Sequence, residues 1–125
     1  MGAHSCDCKD NEERTNERIK ENLTSYSDFE AVSNIFQQLG DPTRLRIFWL
    51  LCHYEENVMS ISNILDMSSP AVSHHLRPLK NSGLIVSRRQ GKEVYYKAAD
   101  NKECNLLHNA IEEAMQIACP HMIHD

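Results

Sequence analysis

Residues Ser68 to Leu84 read SSPAVSHHLRPLKNSGL. Val72, Leu76 and Leu79 recur there at i, i+4 and i+7, the spacing of one inward stripe on a helix. Ser69-Pro70 starts that helix with a polar cap and a proline in the first turn, where a missing N–H costs nothing. The positions left over, Ser69, Ser73, His74, Arg77 and Lys80, fall largely on one polar face. Just upstream, SISNILD (Ser60 to Asp66) reads as another short helix carrying Ile61, Ile64 and Leu65, and only Met67-Ser68 separates the two. Two short helices about a turn apart, the second with a polar outer face, make a helix-turn-helix pattern. Pro78 lies inside the second helix and removes the bond to the His74 carbonyl, so a kink or an early change of helical geometry is expected there.

The pattern extends in both directions. After Ser82-Gly83 come two β-prone runs, LIVSR and EVYYKA, joined by the turn-like RQGK, a hairpin whose tip carries Arg88, Arg89, Gln90 and Lys92. A last amphipathic helix covers Asn101 to Ala118, with Leu106, Leu107, Ala110, Ile111, Ala114, Met115 and Ile117 apolar. Upstream, Phe29, Val32, Ile35, Phe36 and Leu39 keep helical spacing from Asp28 until Gly40 stops the run. Asp41-Pro42 then opens PTRLRIFWLLCHY, apolar on most sides and hence the central core helix. Residues 1–27 are polar and almost without large aliphatics, which predicts a flexible N-terminal arm ahead of one domain over 28–125. The expected fold is mainly α with a β-hairpin wing, in the order α-α-α-α-β-β-α, a winged helix-turn-helix.

Charge agrees with a surface built for phosphate. The chain carries a net charge of −5, yet from Ser69 to Lys97 the bases Arg77, Lys80, Arg88, Arg89, Lys92 and Lys97 face the single acid Glu93. Local field, not total charge, attracts a polyanion. Serine, histidine and arginine on an exposed helix can reach base edges and phosphates, and a basic hairpin beside it can lie along the backbone or minor groove. Double-stranded DNA is therefore the expected partner, through Ser69, Ser73, His74, Arg77 and Lys80 on the helix and Arg88, Arg89, Gln90 and Lys92 on the wing. An enzyme is not expected: Ser73, His74 and His75 point in different directions without an orienting carboxylate, and there is no glycine loop to cradle phosphate. No apolar run approaches the roughly eighteen residues of a membrane span, and no export signal precedes the domain, which together predict a cytoplasmic protein.

The run DPTRLRIFWLL followed by SSPAVSHHLRPLKNSGLIVSRRQGKEVYYKA resembles the ArsR/SmtB family of bacterial winged-helix transcriptional repressors, with a likeness extending from Phe29 to Ala118. That resemblance implies a homodimer paired through the first and last helices. It also implies binding to palindromic operator DNA and release on binding a metal ion or on thiol oxidation.

Candidate ligands lie in three places: Cys6 and Cys8 in the arm, Cys104 and His108 one turn apart on the last helix, and Cys119, His121 and His124 at the C-terminal end. Thiolate with imidazole suits Zn, Cd or Pb as an inducing ion, and no metal is expected to be needed for the fold. The ligand positions that the family resemblance implies are filled differently in this chain. The Cys-x-Cys of cadmium and lead sensors falls on Asn57 and Met59; of the zinc and cobalt sensors' ligands, the early Asp-x-His falls on Asp100 and Lys102 and the late His-x-x-His/Glu on Glu113 and Gln116. Two alternatives stay open. Cys52 with Cys104 or Cys119 could form a thiol-redox or persulfide switch. The cysteines and dimer helices would equally serve a metal-buffering or partner-binding module that ignores DNA.

Overall fold

The computed structural model describes residues 9–23 and 26–118; Cys6, Cys8, Cys119, His121 and His124 lie outside them. The chain divides into two units, Met1–Asn34 and Ile35–Asp125. In the first, the polar segment expected to be an arm contains a helix, α1 (Lys9–Leu23), exposed from Glu12 to Leu23. Its sequence, KDNEERTNERIKENL, offers isolated Ile19 and Leu23 and no apolar stripe. The next helix, α2 (Tyr26–Gln38), carries the periodic run that begins at Phe29.

The second unit is built on α3 (Pro42–His53). Asp41 caps it, its carboxylate accepting from the Arg44 N–H at 2.9 Å, with Pro42 in the first turn. Ile47, Phe48, Leu50 and Leu51 are buried on it, as expected of a central core helix. A strand of two residues follows, β1 (Glu56–Asn57), then α4 (Val58–Leu65). Helix α4 starts two residues before the expected Ser60, because Asn57 serves as its cap through a 2.8 Å bond from the Ser60 N–H. It ends at Asp66 in the left-handed region (φ 56°), a conformation that aspartate tolerates better than most residues. Ser62 secures this turn: its hydroxyl donates to the Met67 carbonyl at 2.6 Å and its own carbonyl accepts from the Met67 N–H at 3.0 Å.

Helix α5 (Ser69–Asn81) follows after three residues, with Ser68 rather than Ser69 as cap. Val72, Leu76 and Leu79 are buried, the inward stripe that the spacing predicts. The helix passes through Pro78 and continues to Asn81, so the proline does not end it early. It closes on Gly83 (φ 79°): Gly83 N–H reaches the Lys80 carbonyl and Leu84 N–H the Leu79 carbonyl, both at 3.0 Å, while Leu79 and Leu84 are both buried. This is the paired-bond helix stop that glycine favours.

The wing is β2 (Ile85–Gln90) against β3 (Glu93–Ala98), antiparallel, with Ile85 opposite Ala98 and Gln90 opposite Glu93. Gly91 and Lys92 alone form the turn, tighter than the four-residue RQGK, with positive φ only at Gly91. Glycine at the first central position is what a two-residue turn of the II′ kind demands. Short β1 adds a third strand beside β3, giving the order β1-β3-β2. The last helix, α6 (Lys102–Ala118), returns to the core, where Cys104 is buried and Leu107 and Ile111 pack.

Candidate nucleic-acid interface and metal-binding cluster

Burying Val72, Leu76 and Leu79 turns the opposite face of α5 outward. Ser73, His74, Arg77 and Lys80 are exposed on it, and Ser69 is half-buried at its first turn. His75, adjacent to His74, turns the other way: its Nδ1 accepts from the Arg44 Nε at 3.4 Å and lies 3.7 Å from the Asp41 carboxylate. Burial lowers the His75 pKa, and the Asp41 charge opposes that only in part. His75 thus ties the start of α3 to α5 and leaves His74 as the outward-facing histidine. Two short helices joined by three residues, with the second exposing serine, histidine and cations, form the helix-turn-helix expected from the sequence.

On the wing, Arg88, Arg89, Gln90 and Lys92 are all exposed. They are not equivalent. Arg88 is held by both oxygens of Glu55, at 2.7 and 2.9 Å, donates to Gln90 Oε1 at 2.8 Å, and sits over the Tyr95 ring with its guanidinium carbon 5.2 Å from the centroid. The hydrogen bond to Glu55 raises the Arg88 pKa and lowers that of Glu55. Arg89 only touches the Gly91 carbonyl at 3.3 Å, and Lys92 occupies the turn itself. Arg88 therefore braces the wing, opposite Tyr95 in mid-hairpin, while Arg89 and Lys92 lie nearer its tip.

Among the described residues, one group of three histidine, cysteine or carboxylate side chains gathers ligand atoms close together: His53, His108 and Glu112. His53 ends α3, its ring on Trp49 at 4.4 Å and edge-on to His108 at 4.7 Å. His108 and Glu112 lie one turn apart on α6. His108 Nε2 is 3.1 Å from His53 Nε2 and 3.0 Å from Glu112 Oε2, and His53 Nε2 is 3.2 Å from the same oxygen. Burial works to raise the Glu112 carboxyl, and the bonds and charges of the two histidines outweigh it, holding the carboxyl below its usual value.

The cluster takes in His108 and leaves its expected partner Cys104 outside. Cys104 is buried, with its thiol toward the Leu84 carbonyl at 3.5 Å, and burial raises its pKa. Cys52 is half-buried and pushed up to about 12, again mainly by burial. Both cysteines, with His53 and His108, are among the residues lining one cavity of about 240 Å³. Asn57 is occupied as the α4 cap and as a donor to Glu93 at 3.2 Å, and Met59, Asp100, Lys102, Glu113 and Gln116 are exposed. His53 and Glu112 were absent from the ligand set read from the sequence. The i, i+4 spacing of His108 and Glu112 was the available signal for one; nothing local marks His53.

Residues 41–87, from the α3 cap to the wing, match the family described as bacterial regulatory protein, arsR family. The chain is 41% identical over 91 residues to the cadmium resistance transcriptional regulatory protein CadC of Listeria innocua, covering 72% of this chain and 76% of that one. It is 35% identical over 89 residues to a transcriptional repressor SmtB homolog of Synechocystis, covering 71% and 67%. In three dimensions it is similar to the homodimeric winged helix-turn-helix DNA-binding domain of a Mycobacterium bovis protein, with a TM-score of 0.69 at 25% identity over 82% of this chain and 94% of that one.

Proposed function

The chain belongs to the arsR family of bacterial regulatory proteins, and from that membership we propose that it represses transcription as a homodimer on palindromic DNA and lets go when it binds a soft or borderline metal ion. It is a winged helix-turn-helix transcriptional repressor of the ArsR/SmtB type rather than an enzyme. The observation that carries the DNA contact is the outward row Ser73, His74, Arg77 and Lys80 on α5, with Arg89 and Lys92 on the adjoining wing. A helix of this kind enters the major groove while the wing follows the backbone. Phosphate contacts supply affinity, and the side chains on the helix supply base reading.

Self-pairing is supported by apolar side chains left exposed on α2, which carries the first helix read from the sequence, and on the last helix α6. Phe29, Val32 and Phe36 along α2 and Leu106 on α6 are each at least half exposed. Closing such faces across a two-fold axis sets two α5 helices at repeating distance on a duplex. The Listeria innocua relative carries cadmium resistance in its name, and the Mycobacterium bovis structural neighbour is homodimeric; both facts favour the same reading here.

Metal control is favoured over a thiol switch. A redox-sensing cysteine needs thiolate character, and both Cys52 and Cys104 hold their protons more tightly than a free thiol. Whatever the ion, it releases DNA only as far as it binds the free form more tightly, and a hundredfold weakening of DNA binding needs about 2.7 kcal/mol of differential affinity.

The test is fluorescence anisotropy of a palindromic duplex from the protein's own promoter region, titrated with protein and then with Zn(II), Cd(II), Pb(II) or a persulfide donor. We expect tight, salt-dependent binding by the metal-free dimer and release by at least one ion. A folded dimer that ignores duplex DNA at low salt would return the molecule to the metal-buffering class. Release by the persulfide donor alone would replace the metal reading with the thiol one.

A further inference from the structure

We propose that His53, His108 and Glu112 form a metal site within a single protomer, taking a borderline divalent cation of the zinc class and clipping the end of α3 to α6. The proposal rests on the metal-controlled reading above and gives it a place and a ligand set.

The geometry argues for a cation over a plain hydrogen-bond network. Nε2 of His53, Nε2 of His108 and Oε2 of Glu112 form a closed triangle with edges of 3.1, 3.0 and 3.2 Å. A neutral imidazole nitrogen that carries its proton directs it along one line, so it cannot serve two partners linearly, and one that lacks it brings only a lone pair. Three such atoms in mutual contact therefore leave at least one edge as a poor bond or a lone-pair repulsion. A cation facing all three converts every edge into two ligands of one ion. Zinc–nitrogen and zinc–oxygen bonds of about 2.0–2.2 Å at tetrahedral angles put ligands roughly 3.3 Å apart, within a few tenths of an ångström of these edges.

The donor types select the ion. Two imidazoles and a carboxylate suit Zn(II) and its first-row neighbours Co(II) and Ni(II), whereas Cd(II) and Pb(II) gain most from thiolates, which this triangle does not contain. The site is partly assembled before any ion arrives: His53 packs against Trp49, the rings tilted by 52° at 4.4 Å, and the other two ligands are one helical turn apart on α6. His53 and His108 also line the 240 Å³ cavity, which leaves room for a water or another donor at a fourth position. The mechanical consequence follows from where the ligands sit. Helix α3 packs against the reading helix α5, and α6 carries the exposed Leu106 offered to self-pairing, so one ion joins the element behind the DNA-contacting helix to the element that sets dimer geometry.

The test uses the full-length protein and Co(II) as a spectroscopic stand-in, with Zn(II) competition for affinity. Wild type should show the visible bands of four-coordinate cobalt with nitrogen and oxygen donors. His53→Gln and His108→Gln should lose them and bind Zn(II) more weakly by well over tenfold, since even partners outside the coordination shell are worth about 10–100-fold. Zn(II) should also raise the thermal midpoint of wild type and not of His108→Gln, a readout independent of DNA. Both variants replace side chains on the rim of the fold, and their metal-free melting curves serve as the folding control. Unchanged cobalt spectra in both variants would overturn the proposal. So would a spectrum dominated by sulfur-to-metal charge transfer that disappears in Cys6→Ser/Cys8→Ser. Failure of the metal-free protein to bind its duplex, with the cobalt site intact, would instead overturn the repressor reading and leave the metal site standing.

Discussion

Arg88 and Glu55, 33 residues apart, meet as a two-point ion pair, Nε to Oε2 at 2.7 Å and a terminal nitrogen to Oε1 at 2.9 Å. The pair neutralises one positive charge on the wing that is proposed to follow a duplex. Glu55→Gln should therefore tighten duplex binding and steepen its salt dependence, by up to about one phosphate contact in the slope of log K against log salt. Anisotropy titrations over a salt series check it. An unchanged slope would mean that Arg88 stays on Tyr95 and away from DNA even when unpaired.

Arg77 stands exposed in the middle of the outward row of α5, one turn from Ser73. Arg77→Ala should weaken specific binding by about 1–3 kcal/mol, roughly 5- to 150-fold, with little change in melting temperature. The same substitution should affect non-specific DNA less, which a competitor duplex measures.

Leu79 is fully buried and its carbonyl accepts the bond that turns the chain from α5 into the wing. Leu79→Ala should cost about 2–5 kcal/mol of stability, a large share of what a domain this size possesses. Urea unfolding would show the midpoint fall. A loss below 1 kcal/mol would mean that the α5–wing corner collapses around the gap.

His75 and Asp41 give the fold an acid-side weakness with a defined sign. Burial holds the folded pKa of His75 below the ordinary value of about 6.5, so the unfolded chain binds more protons and stability falls as pH drops below that value. Asp41 is depressed as well, chiefly by the bond from the Arg44 N–H; its contribution is present above the ordinary carboxylate value and is lost as pH falls through the lower folded one. His75→Gln should flatten the upper part of this pH dependence and leave the lower part, whereas Asp41→Asn should flatten the lower part. Thermal midpoints measured across pH 3 to 8, the span about these two ordinary values, decide it.

The sequence by itself determined the elements whose signals are local. The Asp41-Pro42 start of α3, the Val72, Leu76, Leu79 stripe and the Gly83 stop each lie within a few residues of what they control, and each operates in the structure as its chemistry requires. The cation-bearing face of α5 followed from the same periodicity, because fixing which side of a helix is buried fixes which side is not. Tertiary structure decided everything that depends on partners far along the chain. Strand β1 is two residues long and exists only because Glu56 and Asn57 find Tyr96 and Tyr95 on β3. Arg88 reads as a free cation until Glu55 is placed beside it. His53 is an unremarked residue at a helix end until α6 brings His108 to it across 55 residues and Glu112 across 59. Periodicity and capping are short-range and survive in one dimension; an ion pair or a ligand triangle is a coincidence in space that only the packed core of α3, α5 and α6 creates.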